Sequence, residues 1–241
     1  MDAKKNLNAQ GKVWIYLTVL SLGFALFFFQ TVQALADDKL ESAQLVEKAR
    51  ITLDSFLHDK NMGAFRDLLK KAEGVMIAPD LLKGAFIVGA SGGNAVFLAR
   101  DHKTGQWSEP AFYTIGEASF GLQIGGDASE VVLVALSQRG VTSLLSTSAK
   151  LGGDVSVAAG PVGAGAEAAT ANLSGDIISY SRAKGIYAGV SVEGAVVATR
   201  GALNKAYYKK DVTPTDILIR RTVSNKGAAG LLQAVAKATG K

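Results

Sequence analysis

The chain has 241 residues, 48% of them apolar, with a formal net charge of +5 and no cysteine. This excludes a disordered chain and with it disulfides, thiolate metal centres and cysteine nucleophiles, while the positive excess is too small to point to nucleic acid. Glycine stands at 27 residues beside 4 prolines, which excludes a loop-rich or collagen-like chain and leaves glycine as a strand ingredient.

Lys4, Lys5 and Lys12 precede an uncharged apolar run from Val13 to Phe29, and Ala34-Leu35-Ala36 offers small residues for cleavage. This three-part pattern predicts a secretory signal peptide over residues 1–36. An uncleaved anchor formed by residues 13–29 is the rival reading. Either takes the body of the protein out of the cytoplasm, into a periplasm or cell envelope. Residues 1–36 carry three lysines and Asp2, so without them the net charge is 5 − 3 + 1, or +3.

Residues 37–73 read as a helical segment. Leu40, Ala43, Val46, Ala49, Leu53 and Phe56 recur at helical spacing. Asn61 is the expected cap of a second helix through Lys71, with Met62, Phe65, Leu68 and Leu69 inward, and Gly74 ends it. From residue 74 onward the texture is that of strands. Val75–Ala78 is a short run closed by Pro79-Asp80. Ala85–Ala90 and Asn94–Arg100 flank Ser91-Gly92-Gly93 as a predicted hairpin. Asp101–Gly105 is a turn. Ile115–Ile124 and Glu130–Leu136 flank Gly125-Gly126-Asp127 as another hairpin. Arg139–Lys150 is predicted helical, and the glycine-alanine-valine tract from Gly152 to Thr170 is read as two strands turning near Pro161. Strands follow at Ile177–Tyr180 and Ile186–Ala198. Ala202–Tyr208, Thr213–Arg221 (with Pro214 at the first helical position) and Gly227–Lys237 close the chain as short helices. The expected fold class is α+β: a glycine-rich, mainly antiparallel, barrel-like sheet over residues 74–241, with N-terminal helices and short C-terminal helices.

Two segments carry a family resemblance. Trp107-Ser-x-Pro110 and Phe120-Gly-x-Gln-x-Gly125 lie in the first. Tyr180-Ser-x-x-x-Gly185-x-x-x-Gly189, continuing into Glu193-Gly194 and closing with Asn204 and Tyr207-Tyr208, forms the second. In this order they resemble the SYLF domain, a lipid-binding family, over roughly Lys70 to the C-terminus. The resemblance implies lipid binding without catalysis. Eukaryotic members bind phosphoinositides, fungal ones also contact actin, and bacterial members are exported. This chain lacks an SH3 or FYVE module and carries an export signal, so the implied ligand is a bacterial phospholipid or an anionic membrane surface.

The catalytic patterns lack their context. Gly89-Ala-Ser91-Gly-Gly93 has the nucleophile-elbow spacing, but the only later histidine is His102 and no helix follows. Ser181-x-x-Lys184 and Lys103-Thr-Gly105 stand in the wrong order for a penicillin-binding enzyme. Gly160–Ala168 lacks the Gly-Lys-Ser/Thr ending of a phosphate loop, and small residues packing backbone on backbone explain it more simply. His58 and His102 have no ligand spacing, so no metal or other cofactor is expected. The surface argument remains: Lys39, Lys48, Arg50, Lys60, Arg66, Lys70 and Lys71 border apolar residues of the N-terminal helices and are the candidate lipid-binding positions. The alternative function is a structural or assembly protein of the envelope, oligomeric or membrane-inserted through its glycine-rich strands.

Overall fold

The computed structural model describes residues 37–85, 88–120, 127–164, 166–169 and 173–240; the expected signal peptide, the anchor run and the Gly125-Gly126 turn lie outside them. Helix α1 covers residues 37–58. Its predicted stripe is inward from Val46 onward, with Val46, Ala49, Leu53 and Phe56 buried, while Leu40 and Ala43 are exposed. Helix α2, Gly63–Lys70, buries Ala64, Phe65, Leu68 and Leu69. Its N-cap is Met62 and not Asn61; the Asn61 N–H is bound by the Asp59 carboxylate at 2.8 Å, one residue too early to cap.

The strands are β1 (Gly74–Ala85), β2 (Val88–Ala99), β3 (Ala111–Phe120), β4 (Asp127–Ala135), β5 (Ser148–Lys150), β6 (Val157–Ala159), β7 (Ile177–Ala183), β8 (Ile186–Gly189) and β9 (Val196–Thr199). They form one curled sheet, a half-barrel, in the order β5-β9-β3-β2-β1-β4-β7-β6, with β8 also on β7. Among the described residues every pairing of these strands is antiparallel except β6 with β7. The α+β expectation holds. One face carries α1, α2, α5 (Gly201–Tyr208) and α7 (Ala229–Ala238) over a core including Phe65, Val132, Tyr180 and Leu203. The other packs Met76, Phe97, Tyr113 and Leu133 against Val141, Leu151 and Ile217.

Further expectations fail for stated reasons. Val75–Ala78 does not end at Pro79-Asp80. Strand β1 runs on through a bulge, marked by register shifts between Ile77 and Leu82 against β2 and between Ala78 and Leu81 against β4. A bulge is where a strand tolerates proline. Nor is Ser91-Gly92-Gly93 a turn: it lies inside β2, because a Cβ on Gly93 would fall 2.2 Å from the Asp80 carbonyl oxygen. The glycine admits the bulge. Third, the helix expected over Arg139–Lys150 stops early. Helix α3 covers Gln138–Ser143, capped by the Ser137 hydroxyl, and Ser148–Lys150 instead pairs with β9. The Gly152–Thr170 tract yields one strand, β6, and a short helix α4 at Ala166–Ala169. Its glycines do pack backbone on backbone: a Cβ on Gly189 would meet the Gly160 oxygen at 2.1 Å.

Candidate functional site

Helix α1 crosses the strands of the sheet, and a line of polar contacts records the crossing. Glu41 bonds the Asn94 amide of β2. Lys48 meets Asp80 in the β1 bulge at 2.6 Å. Thr52 donates to Glu130 of β4 at 3.0 Å. Ser55 meets Arg182 of β7 at 2.5 Å and Tyr187 of β8 at 2.8 Å. From β2 to β8 through β1, β4 and β7 is four strand spacings, ~19 Å. The helix between Glu41 and Ser55 rises ~21 Å. The two lengths agree, so α1 runs close to perpendicular to the strands.

Glu130, Arg182 and Tyr187 are cross-strand neighbours in one row of β4, β7 and β8, so their side chains share a face. Arg182 binds Glu130 through Nε, packs over the Tyr187 ring at 5.7 Å, and donates to Ser55. The Glu130 carboxylate beside it raises the pKa of the guanidinium further. The pair is three-quarters buried or nearly so, with side chains 30% and 17% exposed, and fixed in orientation.

Two clefts flank the Lys48–Asp80 bridge. The charged one, about 400 Å³, is lined by Pro79, Asp80, Ala128, Ser129, Glu130, Arg182, Lys184 and Gly185. The second, about 230 Å³, is lined by Glu41, Gln44, Leu45, Lys48, Asp80, Leu82, Gly92, Gly93 and Asn94. Leu82 at its rim is 62% exposed. A charged cleft beside one holding two leucines is an amphipathic arrangement.

Of the seven basic positions expected to bind lipid, only Lys48 borders this site. Arg50 pairs with Glu47 and Asp54, and Lys70 with Asp67. Arg66 donates to the carbonyls of Leu57 and Asp59. Lys39, Lys60 and Lys71 are exposed elsewhere on the helical segment. The sequence marks Asp80 only as a strand stop and Lys184 only within a Ser-x-x-Lys pattern, and it gives Glu130 and Arg182 no binding role. The only local signal was a glutamate heading an apolar strand, Glu130 before Val131–Ala135, with two cations two residues apart at the end of β7.

The family motifs within the described residues serve the scaffold; residues 121–125 of the Phe-Gly-x-Gln-x-Gly motif lie outside them. Trp107 Nε1 donates to Thr239 at 3.1 Å, Tyr208 to the Pro110 carbonyl at 2.6 Å, and Asn204 accepts from the Phe112 N–H at 3.0 Å. These contacts hold α5 and α7 on β3. Ser91 lies in a strand with no helix after it, and His102 sits beside Glu73 at 3.1 Å.

A sequence profile described as Ysc84, Las17-binding protein actin regulator, matches residues 116–238. The chain is 36% identical over 159 residues to LAS seventeen-binding protein 3 of Saccharomyces cerevisiae strain S288c, covering 64% of this chain and 34% of that protein. Identity to Protein YSC84 of the same yeast is 35% over 170 residues, 69% of this chain and 36% of that one. Human SH3 domain-containing YSC84-like protein 1 is 32% identical over 157 residues, 64% and 45% of the two chains. The chain therefore spans between a third and a half of the length of these relatives.

Proposed function

The chain belongs to the Ysc84 (SYLF) domain family, and from that premise we propose that it is a non-enzymatic protein of the cell envelope that binds phospholipid at a membrane surface. The observation that carries the reading is the pair of clefts divided by Lys48 and Asp80: one lined mainly by charge, the other by Leu45 and the exposed Leu82 beside Glu41, Lys48 and Asp80. A phospholipid presents the same juxtaposition of a charged head and an apolar chain, and basic residues beside exposed leucine suit an interface. The signal-peptide pattern read in residues 1–36 supports an envelope location for that surface.

Flotation of residues 37–241 with vesicles tests the proposal. That segment holds both buried clusters, which run from Leu45 to Val235. The expected result is flotation that weakens at high salt without vanishing, since charge is screened and apolar contact is not. Failure to float with vesicles of any composition refutes it.

A second reading takes its cue from the yeast relative, whose name states LAS seventeen binding. A protein partner would meet the outer face of α1, where Leu40 and Ile51 are more than half exposed. Loss of partner capture in Ile51→Ser with flotation intact would separate the two readings. The assembly role expected of the glycine tract has less to stand on, because Gly160 and Gly189 are occupied with one another and with the Tyr180 ring.

A further inference from the structure

We propose that the segment from Lys205 to Lys226 is a basic face that rests on an anionic phospholipid surface. The assignment rests on the lipid-binding reading above and supplies its charged contact from outside the clefts. The cleft charges are already engaged, Lys48 with Asp80 and Arg182 with Glu130 and Ser55. Residues 205–226 hold six cations and two acids, a net +4, while residues 37–241 as a whole carry +3. The positive excess therefore sits in this one segment, and the rest of residues 37–241 is net negative.

Three contacts fold the segment onto residues 106–110. Arg221 donates to the Gln106 carbonyl at 2.9 Å, the Asn225 N–H goes to Glu109, and Tyr208 donates to the Pro110 carbonyl. The Asn225 amide also donates to the Tyr207 carbonyl at 2.7 Å. That contact sets Lys226 beside the end of α5, where Lys209 and Lys210 follow. The acids of the segment and of residues 101–110 have partners. Lys205 pairs with Asp211 and Arg220 with Asp216, both at 2.9 Å. Asp101 accepts the N–H groups of Lys103 and Thr104, and the second oxygen of Glu109 is buried. Among the described residues Lys209, Lys210 and Lys226 have no acid partner, and all three are exposed. Lys209 closes α5 in the left-handed region, at φ 55°, where glycine is the usual residue. Ile219, 50% exposed, follows α6 (Pro214–Leu218) and precedes Arg220. Exposed cations bordering an aliphatic side chain suit a membrane interface. A bilayer offers phosphates and acyl chains side by side, which favours it over a purely acidic protein segment.

Flotation of residues 37–241, which hold both buried clusters, is measured with phosphatidylcholine vesicles and with vesicles of equal parts phosphatidylcholine and phosphatidylglycerol. A lysine at an anionic surface contributes about fivefold to partitioning. The triple variant Lys209→Gly, Lys210→Ser and Lys226→Ser should lose about a hundredfold on the anionic vesicles and nothing on phosphatidylcholine. Its unfolding midpoint should hold, because glycine suits the left-handed end of α5 and the other two positions are exposed. Lys210→Ser alone should lose about fivefold. Lys150→Ser, exposed on the edge strand β5, controls for net charge and should leave flotation unchanged. The proposal is overturned if the triple variant floats with anionic vesicles like the wild type, or loses equally on both vesicles. A loss in Lys150→Ser that matches Lys210→Ser overturns it too. So does a wild type that ignores phosphatidylglycerol yet binds polyglutamate through the three lysines, which assigns the face to an acidic protein partner. Where the wild type still floats, only this face falls; where it floats with no vesicle at all, the lipid-binding reading falls with it.

Discussion

Gly93→Ala isolates the contact on which the Asp80 wall depends. The new Cβ would sit 2.2 Å from the Asp80 oxygen, 3.1 Å from its carbonyl carbon and 3.2 Å from the Leu81 Cα. Ordinary contact begins at 3.4 Å, so the bulge must retreat by 3.4 − 2.2, or 1.2 Å. It has little room, because β4 holds it on the far side at Ala78–Val131 and Leu81–Ser129 and Lys48 ties Asp80 to α1. Overpacking against backbone costs about 3 kcal/mol. Replacing glycine removes unfolded-state freedom, which returns about 0.7 kcal/mol. The net loss is about 2 kcal/mol. Gly92→Ala is the matched control, one residue away in the same strand, where the nearest atom to a new Cβ is the Ile115 oxygen at 3.8 Å. It should be neutral or slightly stabilising. Urea unfolding of residues 37–241 measures both. A Gly93→Ala midpoint at or above that of Gly92→Ala would show that no close approach exists there and that the bulge is wrongly placed.

Arg182→Met should destabilise by about 2 kcal/mol, less than for a fully buried pair because both side chains keep some solvent; Glu130→Gln added to it should recover part of the loss in a double-mutant cycle. Thr213→Ala should cost about 1 kcal/mol in thermal unfolding, since Thr213 and Asp216 close a capping box at the start of α6, Pro214–Leu218. Glu109→Gln should stabilise progressively as pH rises. Burial pushes the Glu109 carboxyl above its ordinary 4.5, against the Asn225 N–H that it accepts. The folded protein therefore holds the proton more tightly than the unfolded chain, and the wild type loses stability as pH climbs through the raised value. Unfolding midpoints of the two proteins should diverge from pH 5 to pH 8; a constant gap refutes the assignment.

The α+β class, the inward stripe of α1 from Val46 to Phe56 and the capped start of α6 are legible in the sequence because their causes are local: a period, a cap, a proline. The errors cluster where a local signal had a distant cause. Ser91-Gly92-Gly93 has the composition of a turn, and only the Asp80 carbonyl pressed against Gly93 shows why glycine is needed in mid-strand. Pro79 has the composition of a stop, and only the paired register shifts show that it occupies a bulge. The two misreadings are one event seen from two strands. The same event makes the candidate site, since the bulge brings Asp80 to Lys48 and divides the two clefts. A scan for basic residues along a helix could not reach it. Glu41, Lys48, Thr52 and Ser55 acquire partners only because α1 lies across β2, β1, β4, β7 and β8, an order the sequence does not follow. Gly93, outside the family motifs, and the charges that line the clefts are thus connected through one backbone contact. Gly93→Ala should accordingly weaken flotation with vesicles along with stability, whereas Thr213→Ala should lower stability alone.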